Sequence, residues 1–570
     1  MIRVLTVEQM RAVEAAADAA GLSYDTMMQN AGRTVAHLVL KRIGPQPEAR
    51  VTVLVGPGNN GGDGLVAGRI IAQESSAQVR FYLLKPRDDK DANFKAVQEA
   101  GLFMALADDD KGFRVLRNMV ASADVVIDAL FGIGVHLPVQ GEAGKVLRSV
   151  RQALNETSLP GYGEGYVITP TVPETSPRLV RPYVVAVDCP SGLESDTGEV
   201  DANTIPADET VTFIAAKPGL LRFPGAGLVG ELHVATIGVP EDLPQMPAGA
   251  PVLADAGLVR ALLPERSNNS NKGTFGKALI VAGSVNYVGA AGLSAQAAYR
   301  IGAGLVTVGA PGPVVAALCG QILEPTWLLL PHDLGVLAEG AAPLIREELG
   351  RYNALLLGPG WGRESATRAM LLKLFEKAAE GQPAKRAIGF SFGAAAKTAE
   401  NQTGEVQFPP LVLDADGLNL LSEVDNWWSL LPANTVITPH PGEMARLAKL
   451  EISQVQAQRF ELAKQKAAEW NVVLLLKGAH TLVAEPGGRV VVLPFKTDAL
   501  ATAGTGDVLA GAIAGLLAQG LTPFDAAVVG AYLHGLAGMQ AATGWGSTRS
   551  VVAGDVLEAL GGTFWLLEAD

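Results

Sequence analysis

Cysteine is almost absent. The 570 residues hold two, Cys189 and Cys319, without metal-type spacing. That excludes a disulfide framework and a cysteine zinc site, and suits a reducing cytoplasm. Basic runs are missing as well. The formal net charge is −13 and no basic run appears, so the basic face of a nucleic-acid binder is not indicated. The uncharged stretch Val508–Phe524 is too short for a membrane span and full of small residues, which reads as a buried helix. At the N-terminus, MIRVLTVEQMRAVEAAADAAG carries charges that interrupt any signal-peptide core. There Thr6 and Gln9 fit a capping box, and Gly21 fits a helix stop. What the chain does have is glycine, 65 residues of it, and 48% hydrophobic residues. That composition suits close α/β layers rather than disorder, and the length predicts two or more domains.

The stretch VPEDLPQMPAGAP, Val239–Pro251, holds four prolines. Proline breaks helices and cannot donate to a ladder, so this reads as a linker at 240–251 between domains at 1–239 and 252–570. Each half alternates β-rich apolar runs with Ala-rich helical stretches, the βαβ rhythm of a mostly parallel sheet. Expected strands include Val51–Val55, Val79–Leu84, Asp124–Ala129 and Tyr183–Asp188 in the first half. In the second they include Lys277–Gly283, Leu305–Ala310, Ala354–Gly358, Leu411–Ala415, Thr435–Pro439 and Val472–Lys477. The segments Thr157–Pro182 and Gly381–Pro410 read as loop insertions.

In the first half, VTVLVGPGNNGGDGLVAGR sets a glycine-rich loop between a strand and a helix. Such a loop lets backbone amides approach a ligand, and a helix N-terminus favours an anion. It is neither GxGxxG nor a Walker A loop, and alone it also fits a tight βα turn. Two further strand ends carry Asp128, in IDALFGIGVHLPVQG, and Asp188, in VAVDCPSGLESDTG. Ligands of open parallel sheets sit outside the carboxyl ends of strands. Each Asp taken singly also fits a cap or a turn.

In order, MMQNAGR, GPGNNGGDGLVAGR, DALFGIGVHLPVQG, DCPSGL and ADETVTF resemble the YjeF N-terminal family, the NAD(P)H-hydrate epimerases. The resemblance covers about Met1–Val239 and implies a Rossmann-like three-layer α/β fold. It implies interconversion of the R and S epimers of hydrated NADH or NADPH, with a bound K⁺. By motif it puts Asn59, Asn60, Gly61, Gly62 and Asp63 at the substrate, with Gly132, Ile133, Gly134, Val135, His136, Leu137 and Pro138. It puts Asn60, Asp128 and Ser191 at K⁺, and Asp188 at the reacting ring as acid–base. A carboxylate there suits C6 epimerisation, which needs proton transfers near the hydroxyl. Ile133 stands where the family has Thr, so one substrate-facing hydroxyl is absent.

In the second half, ATAGTGDVLAGAIAGLLAQG places Gly504 and Gly506 where a helix begins. Amides on flexible glycines at a helix start form an anion hole, and Asp507 beside it is a candidate base for a hydroxyl attacking phosphorus. Asp507 also fits simple preference for a helix N-terminus. Other strand ends supply Lys477-Gly478 with Thr481, His440 with Glu443, GPGWG at Gly358–Gly362, and the acids of DADGLNLL. Those acids read as orienting the site or a metal, or as capping the next helix.

Together NKGTFGKALIVAGS, GAAGLSAQAAYRIGAGLVTV, GPGWG, DADGLN, TPHPGEMARL, LKGAHTLV and ATAGTGDVLAG resemble the YjeF C-terminal family, the ADP- or ATP-dependent NAD(P)H-hydrate dehydratases of ribokinase-like α/β fold. The resemblance covers about Val252–Asp570. It implies Lys477, Gly478, Ala479, His480, Thr481 and Gly506 at the adenine nucleotide. It implies Ala290, Gly360, His440 and Asp507 at the hydrated nicotinamide. Asp498 stands where the family usually has Asn, and Met539 where an acid is common. The implied chemistry is phosphorylation of the C6 hydroxyl by ADP with Mg²⁺, with Asp507 as base, then loss of phosphate and return of the dihydronicotinamide. The implied partners are NADHX, NADPHX and ADP, in a cytoplasmic homo-oligomer without nucleic acid or membrane. Two other readings compete: a ribokinase-like small-molecule kinase, which GTGD alone permits, and a non-catalytic binding scaffold, which the intact Asn60, Asp128 and Asp188 disfavour.

Overall fold

The computed structural model describes residues 1–44, 48–157, 182–241, 243–376 and 407–568. The chain divides into two compact units, Ile2–Pro251 and Val252–Asp570, with Met1 assigned to the second. The two expected loop insertions, Thr157–Pro182 and Gly381–Pro410, lie almost entirely outside the described residues. Among the described residues no helix is long and apolar enough to cross a membrane.

The first unit is built on a seven-stranded sheet. Its order is Phe103–Leu106, Gln78–Leu83, Arg50–Val55, Val125–Ala129, Tyr183–Val187, Glu209–Phe213, Glu231–Ala235. Every pairing is parallel. Strand residues alternate between two apolar layers. Val51, Val53 and Val55 face helices Tyr24–Ile43 and Asn59–Glu74, while Leu54, Val126 and Ala186 face the layer of Arg114–Ala121 and Gly141–Thr157. The chain runs outward from Arg50–Val55 in one direction and then returns to add Val125–Ala129 on its other side. The strand order therefore reverses between these two, the place where open α/β sheets bind ligands. Gly56 marks that point: a Cβ there would lie 1.8 Å from the Leu130 carbonyl oxygen, so only glycine lets the two strand-end loops meet.

The proline-rich stretch is not a loose tether. Val239, Leu243, Met246 and Ala250 cover Leu5 and the apolar face of the first helix, Val7–Ala19, at Met10 and Val13. Arg3 also donates to the Pro247 carbonyl at 2.8 Å. Apolar side chains set between the prolines supply a buried face, and that outweighs the missing amide donors.

In the second unit the strand order runs Val252–Leu253, Val490–Val492, Leu482–Ala484, Val473–Leu476, Thr435–Ile437, Leu411–Leu413, Ala354–Leu357, Lys277–Val281, Leu305–Pro311, Thr326–Leu330. From Val473–Leu476 to Thr326–Leu330 the pairings are parallel. Leu482–Ala484 is antiparallel to both its neighbours. Helix Thr505–Ala518 lies against Val288–Arg300. Its interior glycines serve this contact rather than a ligand. A Cβ on Gly511 would sit 2.2 Å from the Ser294 carbonyl oxygen, and one on Gly515 would sit 2.5 Å from Ile301 Cγ2.

Candidate active sites

The first site gathers at the strand-order reversal. A cavity of about 940 Å³ is lined by Asn59, Asn60 and Asp63 from the glycine-rich loop and helix, by Phe131 to Val135, and by Asp188. Met27, Met28, Arg11 and Glu14 close it from the N-terminal helices. His136, Leu137 and Pro138 follow beyond the lining, and Gly61 and Gly62 lie buried in their helix. Their place is fixed by close approach: a Cβ on Gly61 would lie 2.0 Å from the Gly56 carbonyl oxygen, and one on Gly62 would lie 2.6 Å from Met28 Sδ.

Asp188 stands just past the strand Tyr183–Val187, with φ of 65°. That left-handed conformation costs a non-glycine residue on the order of 1 kcal/mol and is concentrated at functional sites. Its Oδ1 accepts from Lys217 Nζ at 2.7 Å and from Thr212 Oγ1 at 3.0 Å. Two more acids face the same space. Burial, then the charge of Asp188, pushes Asp63 well above the ordinary carboxylate range and raises Glu14 in the same order of causes. Arg87, which the sequence did not mark, holds the loop: its Nη1 donates to the Gly56 carbonyl at 2.7 Å.

Beneath the cavity, Asp128 accepts from the Ser191 amide at 2.8 Å and from Ser191 Oγ at 2.6 Å. Burial pushes Asp128 up to about 6, and the Ser191 hydrogen bonds pull the other way. Both polar atoms of the Asn60 side chain are buried with no hydrogen-bond partner among the described residues. A buried amide without partners costs free energy unless a ligand satisfies it. The buried oxygens of Asn60, Asp128 and Ser191 are the donor type a hard cation takes. Their chemistry is compatible with a monovalent cation.

The second site is a smaller cavity of about 250 Å³, lined by Lys477, Gly478, Ala479, Thr481, Gly506 and His534 among others. Gly504 caps helix Thr505–Ala518 with φ of 92°, and Asp507 sits in its first turn. Lys477 Nζ donates to Asp414 Oδ1 at 2.7 Å, and Thr438 Oγ1 donates to the same oxygen at 2.7 Å. A Cβ on Gly506 would lie 3.5 Å from Lys477 Nζ, so the helix start and the lysine adjoin. Burial pushes Asp507 up to about 7; Asp414 adds to the rise and Lys477 opposes it. The other acid of DADGLNLL steadies a loop, since Asp416 Oδ2 accepts from the Gly362 amide at 2.9 Å. Gly360 and Ala290 adjoin: a Cβ on Gly360 would lie 2.7 Å from that of Ala290.

His440 caps the helix Pro441–Ala448. Its Nδ1 accepts from the Gly442 amide at 3.0 Å, so that nitrogen carries no proton. Burial, then the charges of Lys477 and Arg446, holds its pKa down to about 4. It is a neutral imidazole at physiological pH. Its partner Glu443, whose Oε2 accepts from the His440 amide at 2.9 Å, is pushed up to about 7 by burial. His480 turns away from the expected place. It is 5% exposed and hydrogen-bonds the Leu493 carbonyl through Nδ1 at 3.2 Å, so its ring lies outside the cavity that Ala479 and Thr481 line. His534 lines the cavity instead, with Nε2 donating to the Thr505 carbonyl at 2.9 Å.

A parallel sheet with a crevice at its order reversal, joined in one chain to a second, mostly parallel sheet with its own strand-end cavity, defines a two-site α/β enzyme. The family model for NAD(P)H-hydrate dehydratases matches residues 278–384 and 386–559, and that for the YjeF-related protein N-terminus matches residues 24–219. The bifunctional NAD(P)H-hydrate repair enzyme Nnr of Moorella thermoacetica is 36% identical over 539 residues, 94% of this chain and 91% of its own. That of Escherichia coli is 31% identical over 550 residues, 96% of this chain and 90% of its own. The ADP/ATP-dependent NAD(P)H-hydrate dehydratase of Bacillus subtilis, co-crystallised with ATP and Mg²⁺, shares 27% identity. The match covers 55% of this chain and 98% of that one, with a TM-score of 0.44. The chain belongs to the bifunctional NAD(P)H-hydrate repair enzymes, with an epimerase half followed by a dehydratase half.

Proposed function

We propose that the two halves act in sequence on hydrated nicotinamide nucleotides, with Asp188 and Asp507 as their reacting carboxylates. In the first half, Asp188 takes the C6 hydroxyl proton as the C6–N1 bond breaks, the bond's electron pair staying on the ring nitrogen. N1 then attacks the planar aldehyde carbon from either face, and Asp188 returns the proton to the oxygen. Asn60, Asp128 and Ser191 would hold K⁺, which would supply a fixed positive charge to the site.

In the second half the nucleotide is ADP, arriving as its Mg²⁺ complex. Lys477 to Thr481 and the amide of Gly506 receive it. Asp507 takes the C6 hydroxyl proton, the hydroxyl oxygen attacks the terminal phosphorus, and the bond to AMP breaks. Phosphate then leaves C6, the ring nitrogen donates its lone pair, and loss of a C5 proton restores the 5,6 double bond. Neutral His440, with its pKa held down to about 4, is too weak a base to compete with Asp507 for the hydroxyl proton. The enzyme works in the cytoplasm as a homo-oligomer.

The observation that carries this reading is Asp507: a carboxyl raised to about 7 at a helix start whose glycine adjoins Lys477. A base titrating near the working pH is suited to taking a hydroxyl proton. The test uses mixed R and S NADHX with Mg²⁺ and either ADP or ATP, following NADH absorbance. Conversion of both epimers with ADP is expected. A stable phosphorylated product without NADH would sink the dehydratase assignment.

A further inference from the structure

Lys217 lies outside every motif used so far, yet it is 1% exposed and in contact with Asp188. A lysine is seldom buried this deeply unless its charge is paired. Its ammonium has three donors. They reach Asp188 Oδ1 at 2.7 Å, Thr212 Oγ1 at 2.7 Å and the Phe213 carbonyl at 3.2 Å. With all three engaged, none is left for substrate. Thr212 accepts from Lys217, so its own proton goes to Asp188 Oδ1. That oxygen therefore receives two donors. The other oxygen, Oδ2, points toward the cavity wall, 3.3 Å from where a Cβ on Gly132 would sit.

We propose that Lys217 and Thr212 are positioning residues for the epimerase reaction: they fix Asp188 through Oδ1, so that Oδ2 alone exchanges the proton with substrate. The proton moves from the C6 hydroxyl to Oδ2 and back, and the carboxylate is regenerated. This rests on Asp188 being the reacting carboxylate.

The test measures epimerisation of purified R-NADHX by the full chain, with dehydration of S-NADHX by the same preparation as the folding control for the second half. Lys217→Met is expected to lower the epimerase kcat on the order of 10²-fold, the scale of a small misplacement of a reacting group, while KM stays within about twofold. Thr212→Val, nearly isosteric, is expected to lower kcat roughly 3- to 10-fold, one hydrogen bond to a charged group, again with KM unchanged. Wild-type kcat in both variants, or a raised KM with kcat kept, overturns the proposal. If Lys217→Met does not fold, Thr212→Val decides it alone. Asp188→Asn separates the two failures: full kcat in that variant removes the reading of Asp188 itself. Loss of kcat there, with both other variants unaffected, removes only the positioning role.

Discussion

Each half of the chain pairs a lysine, buried in the first half and half-buried in the second, with an aspartate at the end of a parallel strand. The distances match: 2.7 Å from Lys217 to Asp188 and 2.7 Å from Lys477 to Asp414. The assignments differ. In the first half the paired carboxylate is the proposed reacting one, its charge matched by the buried ammonium. In the second half the lysine is paired with Asp414, and the proposed base, Asp507, forms no ion pair among the described residues and rises to about 7 despite the charge of Lys477. A similar ion pair thus fixes one acid directly and, when given to a neighbour, leaves the other poised between protonation states.

The largest effect separates the two sites. Asp507→Asn should abolish NADH formation from S-NADHX by roughly 10²- to 10⁴-fold, the usual range for a general base, while R-to-S exchange continues. Asp188→Asn should do the reverse: S-NADHX is consumed at the wild-type rate, and the R fraction waits for spontaneous epimerisation. Chromatographic separation of the epimers reads both. If either variant loses both activities, the division of labour fails.

A smaller effect is the pH profile. If Asp507 acts as carboxylate, kcat/KM for dehydration should fall about tenfold per unit below about 7, the value burial gives it. Glu443 is also raised to about 7 beside His440. Glu443→Gln should therefore leave the limb in place if Asp507 sets it. A limb that vanishes in Glu443→Gln would move the base from Asp507 to Glu443.

Much of this was legible in the sequence because strand-end motifs are local. GPGNNGGDG, DALFG and DCPSG each carry their strand, turn and polar group within a few residues. The parallel register of Arg50–Val55, Val125–Ala129 and Tyr183–Val187 brings those ends together. What was not legible acts across the fold. Lys217 stands 29 residues beyond Asp188, and its one local signal is being the only charge in VTFIAAKPGLL. Glu14 and Arg11 sit on the polar face of an N-terminal helix that reads as solvated until the cavity is seen. His480 shares a loop with true lining residues, but φ of 51° sends its ring inward. The prolines of Val239–Pro251 mark a break, and the apolar residues between them are what fold it onto the first helix.

The subtlest effect is on stability, and it has opposite sign in the two halves. An unfolded Asp titrates near 3.9, whereas Asp507 in the fold titrates at about 7. Between those values the folded state holds the extra proton, so stability falls as pH rises from about 4 to about 7. Asp507→Asn removes that penalty. At pH 8, without nucleotide, it should stabilise the second unit on the order of 2–3 kcal/mol once its partial exposure is allowed for, and the gain should vanish near pH 4. Asp188→Asn instead strands the Lys217 ammonium, 1% exposed, without its counter-charge. Breaking a buried pair in this way costs about 3–5 kcal/mol, so the first unit should melt earlier at pH 8. Thermal melts of the two variants across this range, each compared with wild type, read both signs. Destabilisation by Asp507→Asn at pH 8 would mean that its carboxylate is compensated in the fold, and the contrast between a paired and a poised acid would not hold.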